Sequence, residues 1–171
     1  MLSDKDCWIP DLLLFTDFGS NYSKYEDALY LIFKRDFIDS KPYFRGLPIK
    51  IREYPKEFGK EEAFFHITCQ DFFKTRDRNP DFRRCERIEW CRKFIENYEC
   101  SGYSCIDCSG IKIWDEKSGS RMRVCLLSEE CRYIVVLEQR KDYYQLITAY
   151  YIEEDHSLRK KLQHYEASLK K

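Results

Sequence analysis

No run of apolar residues in this chain approaches the roughly 20 that a membrane-spanning helix needs, which excludes an integral helical membrane protein. No glycine-rich phosphate loop, no His-Glu-x-x-His helix and no Gly-x-Ser-x-Gly elbow occurs. P-loop nucleotide hydrolysis, zincin proteolysis and α/β-hydrolase chemistry therefore lack their signatures. Neither sign of charge is in excess, with 30 Lys+Arg against 30 Asp+Glu, so the chain is no polycation. The first ten residues lack the basic-then-apolar layout of a secretory signal, which implies a cytoplasmic chain whose nine cysteines are thiols rather than disulfides. Histidines number three, so imidazole chemistry is confined to His66, His156 and His164.

Apolar material is plentiful. The hydrophobic fraction of 43% and the aromatic fraction of 16% are too high for a disordered chain. At 171 residues, without repeats, low-complexity tracts or a linker, the sequence predicts one domain spanning 1–171. Asn21 and Ser23 are good N-caps, and Tyr25, Leu29, Ile32, Phe33 and Phe37 follow at helical spacing. Residues 43–51 read as short extended pieces around a turn. The apolar knot Phe64-Phe65-His66-Ile67 suits a short helix or a strand equally. Asp81 caps a further helix with Cys85, Ile88, Cys91, Ile95 and Tyr98 on one stripe.

From Ile111 the period changes to two. Strands are expected over 111–115, 121–127, 132–138 and 143–152, joined by links short enough for hairpins. The third of these is apolar on both faces and belongs inside the sheet. Asp155 then caps a last helix carrying Leu158, Leu162, Tyr165 and Leu169. The expected class is α+β: N-terminal helices, a four-stranded antiparallel β-meander and a C-terminal helix.

Several features could carry chemistry. The segment 74–93 holds eight bases against four acids and could present a basic face to phosphates; a solvated, salt-bridged helix is the plainer reading. His66, flanked by apolar residues, can exchange protons near neutral pH, or can be a core histidine with both nitrogens satisfied. His156 and His164 look like surface residues. Thr148 and Tyr150, two apart on a strand, share a face, and Arg123, Arg132 and Arg140 could bring guanidiniums towards it. Cys100, Cys105 and Cys108 form a half-site for structural zinc, with Cys91 or Cys125 as a fourth thiolate. The second Cys-x2-Cys pair of a full site is missing, and free thiols are the default.

The series Phe65-His66-Ile67-Thr68, Arg84-Cys85-Glu86-Arg87-Ile88-Glu89-Trp90, Trp114, 133–140 and Leu146-Ile147-Thr148-Ala149-Tyr150 resembles the phage- and bacteria-associated nuclease-like families of the barnase–EndoU–colicin–RelE fold. The tail through Tyr165 and Glu166 is similar too, so the resemblance runs roughly from Trp8 to Glu166. It implies RNA cleavage without metal or other cofactor, often by a growth-inhibiting toxin. It also implies His66 as acid/base, Arg87 and Arg140 as phosphate-facing cations, and Thr148 and Tyr150 as sheet-borne hydroxyls. Arg84, Trp90, Trp114 and Arg123 would bind the substrate, the tryptophans by stacking on bases. The implied partners are RNA (tRNA, mRNA or the ribosome) and a cognate inhibitor protein, with no membrane. A catalytically silent RNA- or ribosome-binding module on the same fold is the alternative.

Overall fold

The computed structural model describes residues 7–102 and 108–171. Asn21 opens the first long helix, α1 (Tyr22–Lys34), its side chain accepting a hydrogen bond from the Lys24 amide at 3.1 Å. A π-helical turn, Arg35–Asp39, continues it and carries Phe37 into the core. The extended pieces that follow are a hairpin, β1 (Tyr43–Phe44) and β2 (Leu47–Lys50), turning at Arg45 and Gly46, both with positive φ.

The knot around His66 is a helix, α2 (Glu62–Thr68), and every residue in it is buried. Such a helix has no polar face, so periodicity alone could not decide its type. A two-residue β3 (Cys69–Gln70), one turn of helix α3 (Phe72–Thr75) and β4 (Asn79–Pro80) lead to Asp81, which accepts hydrogen bonds from the Arg83 and Arg84 amides. The single helix expected from there is two, α4 (Phe82–Cys85) and α5 (Ile88–Glu96), broken at Arg87. The apolar stripe runs through the break, and Phe94 rather than Tyr98 completes its buried side.

The strands β5 (Lys112–Ser118), β6 (Arg121–Ser128), β7 (Tyr133–Gln139) and β8 (Tyr144–Tyr151) pair antiparallel with their neighbours, and β7 lies inside. They do not form a separate four-stranded sheet. The order is β1-β2-β8-β7-β6-β5, and β2 runs parallel to β8 through Ile49–Tyr144 and Lys50–Gln145. The sheet is thus six-stranded and mixed within an α+β fold.

Alternation on these strands builds two cores. One face carries Val124, Leu126, Val135, Leu137, Leu146 and Ala149 against α1, α2 and α5. The other carries Trp114, Cys125, Leu127, Ile134 and Val136 against the last helix, α6 (Asp155–Ser168), through Leu158, Leu162 and Tyr165. Leu169 remains exposed and lies beyond the packed stripe. Asp155 is the first residue of α6 rather than its cap, and it pairs with Arg132 at 2.7 Å. No helix among the described residues is long and apolar enough to cross a membrane.

Candidate functional site

The outer face of the sheet changes character along its strands. On β6, Arg121 and Arg123 precede Cys125 and Leu127 on the same side, and on β7 Ile134 and Val136 precede Glu138. Helix α6 covers the apolar end. The charged end is left to form the floor of a cleft of about 340 Å³, lined also by Arg52, His66, Phe73, Lys74, Arg84, Gln145 and Thr148.

A β-bulge shapes the inner wall. Val136 pairs with Thr148 and Leu137 with Leu146, so Ile147 is the extra residue on β8. The Ile147 backbone favours the protonated form of the nearby His66 ring. Thr148 Oγ1 donates to the His66 carbonyl at 3.0 Å, and Arg84 Nη1 donates to the same carbonyl at 2.9 Å. Arg84 also stands 3.4 Å from Thr148 Oγ1 and stacks over the Tyr150 ring at 5.2 Å. Helix α2, α4 and strand β8 are pinned together at this one carbonyl.

The imidazole of His66 turns its Nε2 inward. Its Nε2 lies 3.3 Å from Glu62 Oε1, one helical turn earlier, without the alignment of a hydrogen bond. Glu62 is fully buried and also pairs with Arg52 at 3.6 Å and with Arg76. Burial pushes the His66 ring below its ordinary range, Glu62 raises it, and Arg52 and Arg76 lower it again. The net direction is down, which leaves a neutral ring at pH 7.

A stability signature follows. The unfolded imidazole titrates at about 6.5, while the folded ring resists its proton to lower pH. Its contribution is therefore complete above the unfolded value and is lost as pH falls through the folded one. Urea melts from pH 8 to pH 5 should show a decline that His66→Gln flattens. Parallel pH profiles for the two proteins would refute the assignment.

Across the floor, Glu138 is buried and gathers three arginines: Arg121 at 3.2 Å, Arg123 at 3.8 Å, and Arg140. Arg140 also reaches Gln145 Oε1 at 3.0 Å. The three cations are fixed at the cleft by one carboxylate that neutralises only part of their charge. The cleft is net positive, because Arg52, Lys74, Arg84, Arg121 and Arg123 outnumber Asp71 and Glu138 even when Glu62 and Asp81, the partners of Arg52 and Arg84, are counted with them.

His66, Thr148, Arg84 and Arg123 therefore line one cavity, with Arg140 and Tyr150 attached to it. Arg87 does not join them: it donates to the Arg83 carbonyl and stacks on Tyr151 at 4.4 Å and on Trp90. Trp90 is buried, its Nε1 donating to the Pro10 carbonyl at 2.9 Å, and Trp114 is sealed under α6. Neither indole is free to stack on a base. Arg132 turns away to the Ile152 and Glu153 carbonyls.

The basic segment 74–93 does not form one face. Arg78 pairs with Glu26, Arg83 with Glu153, and Arg92 binds the Asp36 and Ser40 carbonyls. Missed from the sequence were Arg52, Arg121, Phe73, Glu62 and Glu138, whereas Lys74 belongs to the basic segment already singled out. The four-residue step from Glu62 to His66 was the one local signal that could have found any of them.

Of the zinc half-site, Cys105 lies outside the described residues. Cys91 and Cys125 are buried in cores on opposite faces of the sheet, the latter pushed by burial to about 12. Burial raises the Cys108 and Cys131 thiols above their ordinary range. Among the described residues no group of three or more His, Cys, Asp or Glu side chains is placed to hold a metal. No family model, curated protein or solved structure matches the chain.

Proposed function

We propose that the cleft binds an RNA phosphodiester and cleaves it by attack of the neighbouring 2′-hydroxyl, as the resemblance to the barnase–EndoU–colicin–RelE nucleases implies. The observation that carries this reading is the meeting of a neutral imidazole, a threonine hydroxyl and a net surplus of guanidiniums in one cavity. A neutral imidazole can accept the 2′ proton, and guanidiniums aimed at the phosphate stabilise the charge that grows on it. The 2′-oxygen–phosphorus bond forms, the phosphorus–5′-oxygen bond breaks, and the departing 5′-oxygen takes a proton from solvent. The products are a 2′,3′-cyclic phosphate and a 5′-hydroxyl. The natural partner is RNA in the cytoplasm, with a cognate inhibitor protein if the enzyme acts as a toxin.

One observation favours the alternative, a module that binds RNA without cutting it. His66 Nε2 is itself buried and turned to Glu62, so that nitrogen does not face the cleft. The two readings part on a single experiment. An end-labelled single-stranded RNA incubated with the protein should shorten to cyclic-phosphate ends, and the same sequence as DNA, lacking the nucleophile, should remain intact. RNA that is retained but never shortened selects the binding module. RNA that is neither bound nor cut removes both.

A further inference from the structure

Phe73 stands at the mouth of the cleft with 61% of its surface exposed. A lone exposed phenylalanine needs no explanation, but this one is held in place. Its neighbour Phe72 is buried and stacked on Phe65 at 4.8 Å, which anchors the single turn α3. The residues flanking that turn, Asp71 and Arg76, both adopt positive φ, and Arg76 is tied to buried Glu62. The Phe73 ring meets the His66 ring edge-on at 5.4 Å, with the Arg52 guanidinium 5.7 Å from its centroid. An anchored aromatic surface thus adjoins both the imidazole and a cleft cation.

We propose that Phe73 is a stacking platform for an unpaired nucleobase next to the phosphate held in the cleft, so that the ligand is single-stranded RNA. This rests on the RNA reading above and adds to it the requirement for an exposed base. A phosphate on the floor cations leaves its flanking nucleotide beside the cleft rim, where Phe73 is exposed with the Arg52 guanidinium over its ring. Every base has a π-face, so stacking of this kind tolerates sequence. A base held in a duplex already has its faces covered and cannot use the platform.

Binding of two short RNA strands of equal length and charge, one bearing bases and one abasic, tests this apart from catalysis. The native protein should bind the base-bearing strand about 5- to 150-fold more tightly, the range that stacking of one base on an aromatic ring supplies. Phe73→Ala should lose that preference while binding the abasic strand as the native protein does. Phe73→Tyr should keep it. In Phe73→Trp, titration with the base-bearing strand should quench the new indole fluorescence and the abasic strand should not. Equal affinity of the native protein for both strands, or a preference that survives Phe73→Ala, overturns the platform and leaves the RNA reading standing. Failure of the native protein to bind either strand overturns both.

Discussion

His66→Gln should slow RNA cleavage by about 10²–10⁴-fold, the usual loss when a general acid or base is removed. Glutamine keeps a polar side chain of similar reach, and Glu62 keeps Arg52 and Arg76, so the protein should still melt cooperatively at pH 7. The native rate should rise with pH as the imidazole sheds its proton, and level off below the ordinary histidine range because the ring is held low. His66→Gln should lose that limb. Cleavage by the variant at the native rate would remove His66 from the chemistry and leave the cations as a binding surface.

The second large effect concerns Glu62. Replacing Arg52 and Arg76 together by alanine leaves a fully buried carboxylate whose one remaining basic partner among the described residues is the neutral ring of His66. Breaking a buried pair by deleting the cation costs about 3–5 kcal/mol, because the remaining charge is uncompensated. Here the imidazole offers a remedy. The two arginines lower His66 and Glu62 raises it, so removing them should lift its pKa and let an imidazolium replace the lost guanidiniums. The destabilisation should therefore be larger at pH 8 than at pH 6, and the His66 ring protons should titrate at higher pH by NMR. An equal loss at both pH values would show that the pair acts through something other than Glu62.

Much of this architecture could be read from the residues, for reasons that differ by element. Asn21 and Asp81 announced helix starts because their side chains accept from amides that a helix leaves unpaired. The antiparallel strands showed themselves by period two and short links. The attachment of β2 to β8 did not. Four residues including Pro48 carry no register information, and parallel pairing across nearly a hundred residues leaves no local trace. The site was half legible. His66 and Thr148 stood out by chemistry, but the cations that accompany them come from separated segments. Arg123 was expected on that face, but Arg121 looks like an ordinary exposed strand residue until Glu138 is placed beside it. Trp90 and Trp114 suggested base stacking and proved to be core, whereas Phe73, adjacent to an equally apolar Phe72, gave no hint of which ring faces water.

The parallel seam between β2 and β8 also gives the molecule an order in time. Synthesis delivers α2, with His66, long before Thr148, whose hydroxyl holds the His66 carbonyl from 82 residues away. Until β8 emerges, β2 has no partner in the sheet beyond β1, the bulge at Ile147 does not exist, and three sides of the cleft have no fourth. Contacts this distant in sequence form late in folding. A growing chain therefore has no finished cleft until β8 has been made and has paired with both β2 and β7.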